Sequence, residues 1–327
     1  LQTDTIILSV YAEPLDLPLR EPFAIAGGSV HVARNVLVRI ELAGGVSGLG
    51  EAAPFPQVNG ETQESVLGAV ERMRSLLTGL DAARWRHVSQ RMQESGTVAQ
   101  AALCGLEMAL LDALARHHGI PLWQFFGGRL TELYTDMTVT AGDRDHAAHS
   151  ALQIHERGIS TIKIKIGALT PAEDTERVSA IRDAVPDARL FVDANGGYDA
   201  AAAIEFMDRM HAAGIELAAF EQPVPRDDWQ GLARVRDNAN VLIYADESAR
   251  DAADVVRLVN EGLADGINIK IMKSGIVGAL CMWELARAHG LELMIGGMVE
   301  SILAMSPPTW RRDSAVSVWW TWIRPCS

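Results

Sequence analysis

A chain of 327 residues has room for two domains, or for one large barrel with an addition. Its 48% hydrophobic and 22% charged residues are ordinary for a globular protein, and a formal charge of −13 argues against nucleic acid or an anionic membrane surface as the main partner. Cys104, Cys281 and Cys326 form no disulfide or zinc pattern, no signal-peptide pattern opens the chain, and charges interrupt every long apolar segment, so a cytoplasmic location and no membrane partner are expected.

Taken in order, Thr5–Ala12 and Asn35–Leu42 read as strands, with Gly44-Gly45 and Gly48–Gly50 as punctuation after them. Helices are expected over Thr62–Leu77 and Val98–His118, the second stopped by Gly119-Ile-Pro121. Gly127-Gly128 reads as a hinge that closes an α+β domain, residues 1–128. From Leu133 strands alternate with helices, which implies a parallel sheet. Expected strands are Tyr134–Val139, Thr161–Ile166, Leu190–Asp193, Leu217–Glu221, Val241–Asp246, Gly266–Lys270 and Leu291–Ile295. Asp174–Ala184, Ala200–Ala213, Ala252–Glu261 and Ile276–His289 are helical, so residues 129–306 are expected to form a (β/α) barrel.

The tail, residues 307–327, breaks this grammar: four of the eight tryptophans (Trp310, Trp319, Trp320, Trp322) fall there. Shifted by one base, Trp319–Arg324 reads as an apolar residue, Val, Asp, an apolar residue, Asp and Thr, which would make an eighth strand ending in Asp-x-Asp. A frameshift near Met305–Pro308 is therefore expected; the plain alternative is that Ser314–Ile323 is itself an alternating strand.

The chemistry lies at the strand ends. From Lys165 to Asp193, Glu221, Asp246 and Lys270 the intervals are 28, 28, 25 and 24 residues, close to one strand–helix unit each. Side chains at such tips converge on one mouth of a barrel. Asp193, Glu221 and Asp246 are hard oxygen ligands suited to Mg²⁺. Any one of them alone is better read as a structural ion pair; three at matching tips would require three coincidences. Asn195 and Glu247 adjoin the ligands as auxiliary groups, although Glu247 also suits a salt bridge. Lys163 and Lys165, two apart on a strand, share a face, where like charge is expected to lower the pKa towards a useful base. Lys270 approaches from the far side of the carboxylates, and Lys273 reads as loop surface. Two bases across a metal-bound carboxylate suit removal of a proton from one face of a carbon and its return to the other. No His-Glu-x-x-His, phosphate loop or Gly-x-Ser-x-Gly elbow competes with this reading.

These stretches resemble the muconate-lactonizing-enzyme-like branch of the enolase superfamily: Glu107–Asp112 through Phe126-Gly-Gly128, Lys163-Ile-Lys165, Asp193-Ala-Asn195, Glu221-Gln-Pro223 and Asp246-Glu-Ser248. Asn268–Gly275 and Ile295–Ser301 are similar to dipeptide epimerases, the group that includes L-Ala-D/L-Glu epimerase. The resemblance implies an α/β fold, a modified TIM barrel (β/α)7β under an N-terminal α+β capping domain. It implies Mg²⁺ on Asp193, Glu221 and Asp246, opposed acid/bases Lys165 and Lys270, Lys163 as an auxiliary cation, and substrate contacts from Thr138 and Met298. It further implies a dipeptide substrate epimerised at its C-terminal residue, a homo-oligomer, and an Asp-x-Asp on strand eight for the substrate ammonium, which only the shifted tail provides. Ala24–Val32 has no Arg or Lys to meet a glutamate side chain, although Arg20 and Arg34 flank it, so a hydrophobic or cationic second residue is as well suited. N-acylamino acid racemase and o-succinylbenzoate synthase share the scaffold and need no Asp-x-Asp. A Schiff-base lyase, which would survive EDTA, and an inactive product of a garbled tail are the remaining alternatives.

Overall fold

A computed structural model describes residues 4–25, 28–56, 60–96, 99–127, 134–140, 142–305 and 321–323. Gly128 of the expected hinge, part of Ala24–Val32 and nearly all of the tail lie outside them. The N-terminal unit is an antiparallel sheet of order β1 (Ile7–Ile25), β2 (Gly28–Leu42), β3 (Ser47–Ala52), covered by α1 (Gln63–Leu77), α2 (Trp85–Glu94) and α3 (Gln100–His118) and followed by a short α4 (Leu122–Phe125). Thr62 caps α1 in a reciprocal box with Ser65. The Gly48–Gly50 stretch, read as punctuation, is strand β3. Its glycines answer to packing, because a Cβ on Gly48 would lie 2.1 Å from the carbonyl oxygen of Ala109, and one on Gly50 2.0 Å from that of Gly105. Helix α3 thus rests directly on the sheet and is buried on nearly every side from Ala101 to Ala115, as its all-round apolar composition requires.

The second unit alternates β4 (Tyr134–Thr135), β5 (Met137–Val139), α5 (Arg144–Glu156), β6 (Thr161–Lys165), α6 (Pro171–Ala184), β7 (Arg189–Asp193), α7 (Ala200–Ala212), β8 (Ala219–Glu221), α8 (Trp229–Asn238), β9 (Leu242–Ala245), α9 (Ala252–Glu261), β10 (Gly266–Lys270), α10 (Ile271–Ala288), β11 (Glu292–Gly296) and α11 (Ile302–Met305). Strands β5 to β11 pair in parallel in chain order, the seven expected. The last described strand, β12 (Thr321–Ile323), joins β11 to β4 antiparallel to both, so the sheet curls back towards the segment that holds β5. Outward apolar residues such as Ile162, Ile164, Val192, Phe220 and Ile243 form one core with the helices, while the inner face carries Phe191, Ala219, Tyr244 and Met294. Both faces are therefore covered, as a parallel sheet demands. Asn35 and Glu51 of the N-terminal sheet meet the loop after β11, on the carbonyl of Val299 and on Ser301. No helix among the described residues is long and apolar enough to cross a membrane.

Candidate active site

The strand periodicity that buries alternate side chains also delivers the charged ones. Register pairs Lys165 with Asp193 and Asp193 with Glu221, so neighbouring tips point the same way. Asp193, Glu221 and Asp246 are all buried, and one oxygen of each lies within 4.8 Å of the others. Each carboxylate has a lysine against it, and Asp193 and Glu221 share one. Lys163 Nζ reaches Asp193 Oδ2 and Glu221 Oε2, both at 2.7 Å, and Lys165 Nζ donates to Asp193 Oδ2 and to Asn195 Oδ1, again at 2.7 Å. Lys270 Nζ donates to Asp246 Oδ2 at 2.6 Å.

Two of the sequence expectations need correction. Lys163 is not driven towards neutrality by Lys165: burial does favour the neutral amine, but Asp193 and Glu221 outweigh it and raise the pKa. Lys273 is not loop surface. It is half-buried beside the triad, and its Nζ donates to Asp246 Oδ1 at 2.7 Å, to the Asp246 carbonyl at 2.5 Å and to the Asn268 carbonyl at 3.1 Å.

The carboxylates respond unequally. Burial would raise Asp193, yet Lys163 and Lys165 bring it down to about 2; burial is likewise overcome at Asp246, which Lys270 and Lys273 hold well below the usual carboxylate range. Glu221 goes the other way, pushed up to about 8 by burial and by the charge of Asp193 against the pull of Lys163. Of the three, Glu221 is therefore the carboxylate whose charge is least compensated, its one ammonium partner here, Lys163, being shared with Asp193. A divalent cation fits the donor set, since hard oxygens from three strands are what Mg²⁺ takes, with further positions left for water and substrate.

The auxiliary residues also meet here. Asn195, at φ 46°, spans Lys165 and Glu247, with Nδ2 donating to Glu247 Oε1 at 3.0 Å and its backbone N–H to Asp193 Oδ1 at 2.9 Å. Burial pushes Glu247 up, and its Oε2 has no partner among the described residues. Thr138 is the register partner of Lys163, and its buried hydroxyl is unpartnered among the described residues. Met298 is buried against the N-terminal core and lines a cleft of about 940 Å³ with Glu247, Met272, Lys273, Val277 and Cys281. Sequence reasoning missed Asn268, whose Nδ2 donates to Glu221 Oε1 at 2.8 Å, and Gln222, at φ 37°, whose Oε1 accepts from the N–H groups of Asp246 and Ser248. Asn268 lies two residues before Lys270, so period-two alternation from that lysine would have found it.

Residues 7–127 match the family described as mandelate racemase/muconate lactonizing enzyme, N-terminal domain, and residues 146–309 match the enolase C-terminal domain-like family. The chain is 52% identical over 302 residues to the aromatic dipeptide epimerase of Herpetosiphon aurantiacus, covering 92% of this chain and 85% of that protein. It is 40% identical to the L-Ala-D/L-Glu epimerase of Thermotoga maritima, covering 88% and 82%. The dipeptide epimerase of Cytophaga hutchinsonii, solved with Mg and D-Ala-L-Val, aligns with a TM-score of 0.88 at 32% identity over 92% of this chain and 82% of that one. By these matches, this chain belongs to the mandelate racemase/muconate lactonizing enzyme family of the enolase superfamily, among its dipeptide epimerases, and is an isomerase.

Proposed function

We propose that the protein epimerises the α-carbon of the C-terminal residue of an L-Ala-Xaa dipeptide by two-lysine proton transfer. The observation that carries this reading is a lysine on each flank of one buried carboxylate triad, Lys165 on β6 and Lys270 on β10. Lys163 has no exposed side-chain surface, whereas Lys165 and Lys270 retain 9% and 7%; Lys273 retains 8% but spends its donors on protein oxygens, so Lys165 and Lys270 are the pair assigned to the reacting carbon. Mg²⁺ on Asp193, Glu221 and Asp246 would supply positive charge for the substrate carboxylate and for the enolate-like charge that grows as the α-proton leaves. One lysine removes that proton, and the other protonates the opposite face. Asn195 holds Lys165 in place, and Lys163 stays a fixed cation between Asp193 and Glu221. Thr138 and Met298 are assigned to substrate contact.

An apolar or aromatic second residue is favoured. Met272, Val277 and Met298 line the cleft, and the relative at 52% identity is named an aromatic dipeptide epimerase. The tail remains a separate proposal: a frameshift near Met305–Pro308 removes an Asp-x-Asp that would hold the substrate ammonium, and resequencing the gene across that stretch tests it directly.

The test of the activity uses Mg²⁺ and pooled L-Ala-L-Xaa dipeptides in D₂O, with the chain as written and with the frame restored. Deuterium should appear at the C-terminal α-carbon by NMR or mass spectrometry, stop with EDTA and return with Mg²⁺. A folded, Mg²⁺-binding protein that exchanges no dipeptide in either form would overturn the reading in favour of an N-acylamino acid substrate.

A further inference from the structure

We infer that Lys273 is a positioning residue that divides the two oxygens of Asp246, holding Oδ1 itself so that Oδ2 is the one presented to Lys270 and to a divalent cation. The inference rests on the two-lysine reading above. Lys273 occupies a single helical turn between the tip of β10 and a break at Gly275, where the backbone leaves the helix at φ 70°, ψ 174°. A cation in the first turn of a helix faces the positive end of the peptide dipoles, an unfavourable place unless an anion offsets it. Asp246 is that anion.

An ammonium has three protons to donate, and here all three are engaged by protein oxygens: Asp246 Oδ1, the Asp246 carbonyl and the Asn268 carbonyl. None is left to deliver to a substrate, which separates Lys273 from the acid/base pair. The same three bonds tie β9 to β10 just beyond the end of their ladder, whose registered pairs stop at Tyr244–Gly266 and Ala245–Ile267. Lys273 therefore replaces the missing rungs at the residue whose carboxylate must be aimed.

The turn is in turn located by the N-terminal unit. Glu107 of α3 accepts from the N–H groups of Ile276 at 2.5 Å and Val277 at 3.0 Å, and its Oε2 would lie 2.6 Å from a Cβ added at Gly275. A chain of contacts thus runs from α3 through the break to Lys273 and on to Asp246.

The test compares wild type with Lys273→Met, which keeps the apolar stem and removes charge and donors. Mg²⁺ binding is measured by calorimetry without substrate, and α-proton exchange in D₂O is followed separately from each epimer, with kcat and KM resolved. Loss of a group that orients a metal ligand should weaken Mg²⁺ binding about 10-fold or more, and should depress kcat from one epimer about 10-fold more than from the other with KM little changed. Unchanged or tighter Mg²⁺ binding would make Lys273 a mere competing charge, and equal losses from both epimers would make its role generally structural; either result overturns the inference. If Lys273→Met does not fold, Lys273→Arg serves, because a planar fork cannot direct its donors as a point ammonium does, and the same asymmetry is expected. Absence of exchange in the wild type would sink the underlying reaction instead, while the Mg²⁺ titrations would still decide whether Lys273 sets Asp246.

Discussion

The two flanks of the carboxylate triad reach the same end by different geometry. On β6, Lys163 and Lys165 are two apart on one strand, and both converge on a single oxygen, Asp193 Oδ2. On the other flank, Lys270 ends a strand and Lys273 begins a helix, three residues apart, and they take separate oxygens of Asp246. The difference teaches that an inner lysine can be a shared counter-ion or a dedicated one. On β6 the shared oxygen couples Lys165 to Lys163; on β10 the division of oxygens leaves Lys270 its own contact. On the proposed reading each flank nevertheless supplies one acid/base lysine, Lys165 and Lys270.

The hardest test of that symmetry is to remove one outer lysine at a time. Lys165→Ala and Lys270→Ala should each lower epimerisation by about 10³-fold, the scale of a lost general acid/base, while exchange in D₂O persists from the epimer whose proton faces the surviving lysine. Opposite residual preferences for the two variants are the expected result. The same preference in both would break the assignment of one face to each flank.

A smaller effect is expected at the centre of the triad. Glu221→Gln removes the carboxylate that burial and Asp193 already oppose, so Mg²⁺ affinity should fall about 100-fold. The metal-free protein should nonetheless melt no lower than wild type. Asn268 Oδ1 is buried without a partner among the described residues, so turning that amide over offers an acceptor to the new side-chain NH₂. A large loss of melting temperature without Mg²⁺ would mean that Glu221 holds the two flanks together structurally.

How much of this the chain disclosed depended on the kind of contact. Strand tips were legible because a parallel strand buried on both faces reads as an apolar run, against which Lys165, Asp193, Glu221, Asp246 and Lys270 stand out. Lys273 was not legible as a site residue, because the period changes from two to 3.6 where β10 passes into α10, and a position three further on returns to the same side. Strand β3 was hidden because Gly48 and Gly50 obey a helix that arrives some sixty residues later. The raised pKa of Lys163 comes from carboxylates on two other strands, which spacing along its own strand could not supply. Of the expected eighth strand only Thr321–Ile323 falls among the described residues, so the shifted reading is decided at the gene.

Glu107 sharpens the comparison further, since it bears on one flank only. Glu107→Ala strips partners from the N–H groups of Ile276 and Val277 and from the hydroxyl of Ser89, at a cost of about 3 kcal/mol by the usual penalty for stranded buried donors. Denaturant melts should show that loss. If the turn carrying Lys273 shifts with it, exchange from the epimer served by Lys270 should suffer more than exchange from the other.

The smallest effect is expected beside Lys163, at Thr138. Its hydroxyl is buried and spends no hydrogen bond on the described protein, so Thr138→Val replaces an unsatisfied polar atom by a methyl of similar size. Removing an unpaired buried hydroxyl costs the free protein little, and the melting temperature should hold or rise slightly. If the hydroxyl is instead kept for the dipeptide, the variant loses one neutral hydrogen bond to substrate, and KM should rise about tenfold. The rise should be equal for both epimers, because Thr138 hands a proton to neither face, in contrast to every lysine change above. An unchanged KM would return Thr138 to the barrel wall and leave Met298 as the substrate contact to be tested next.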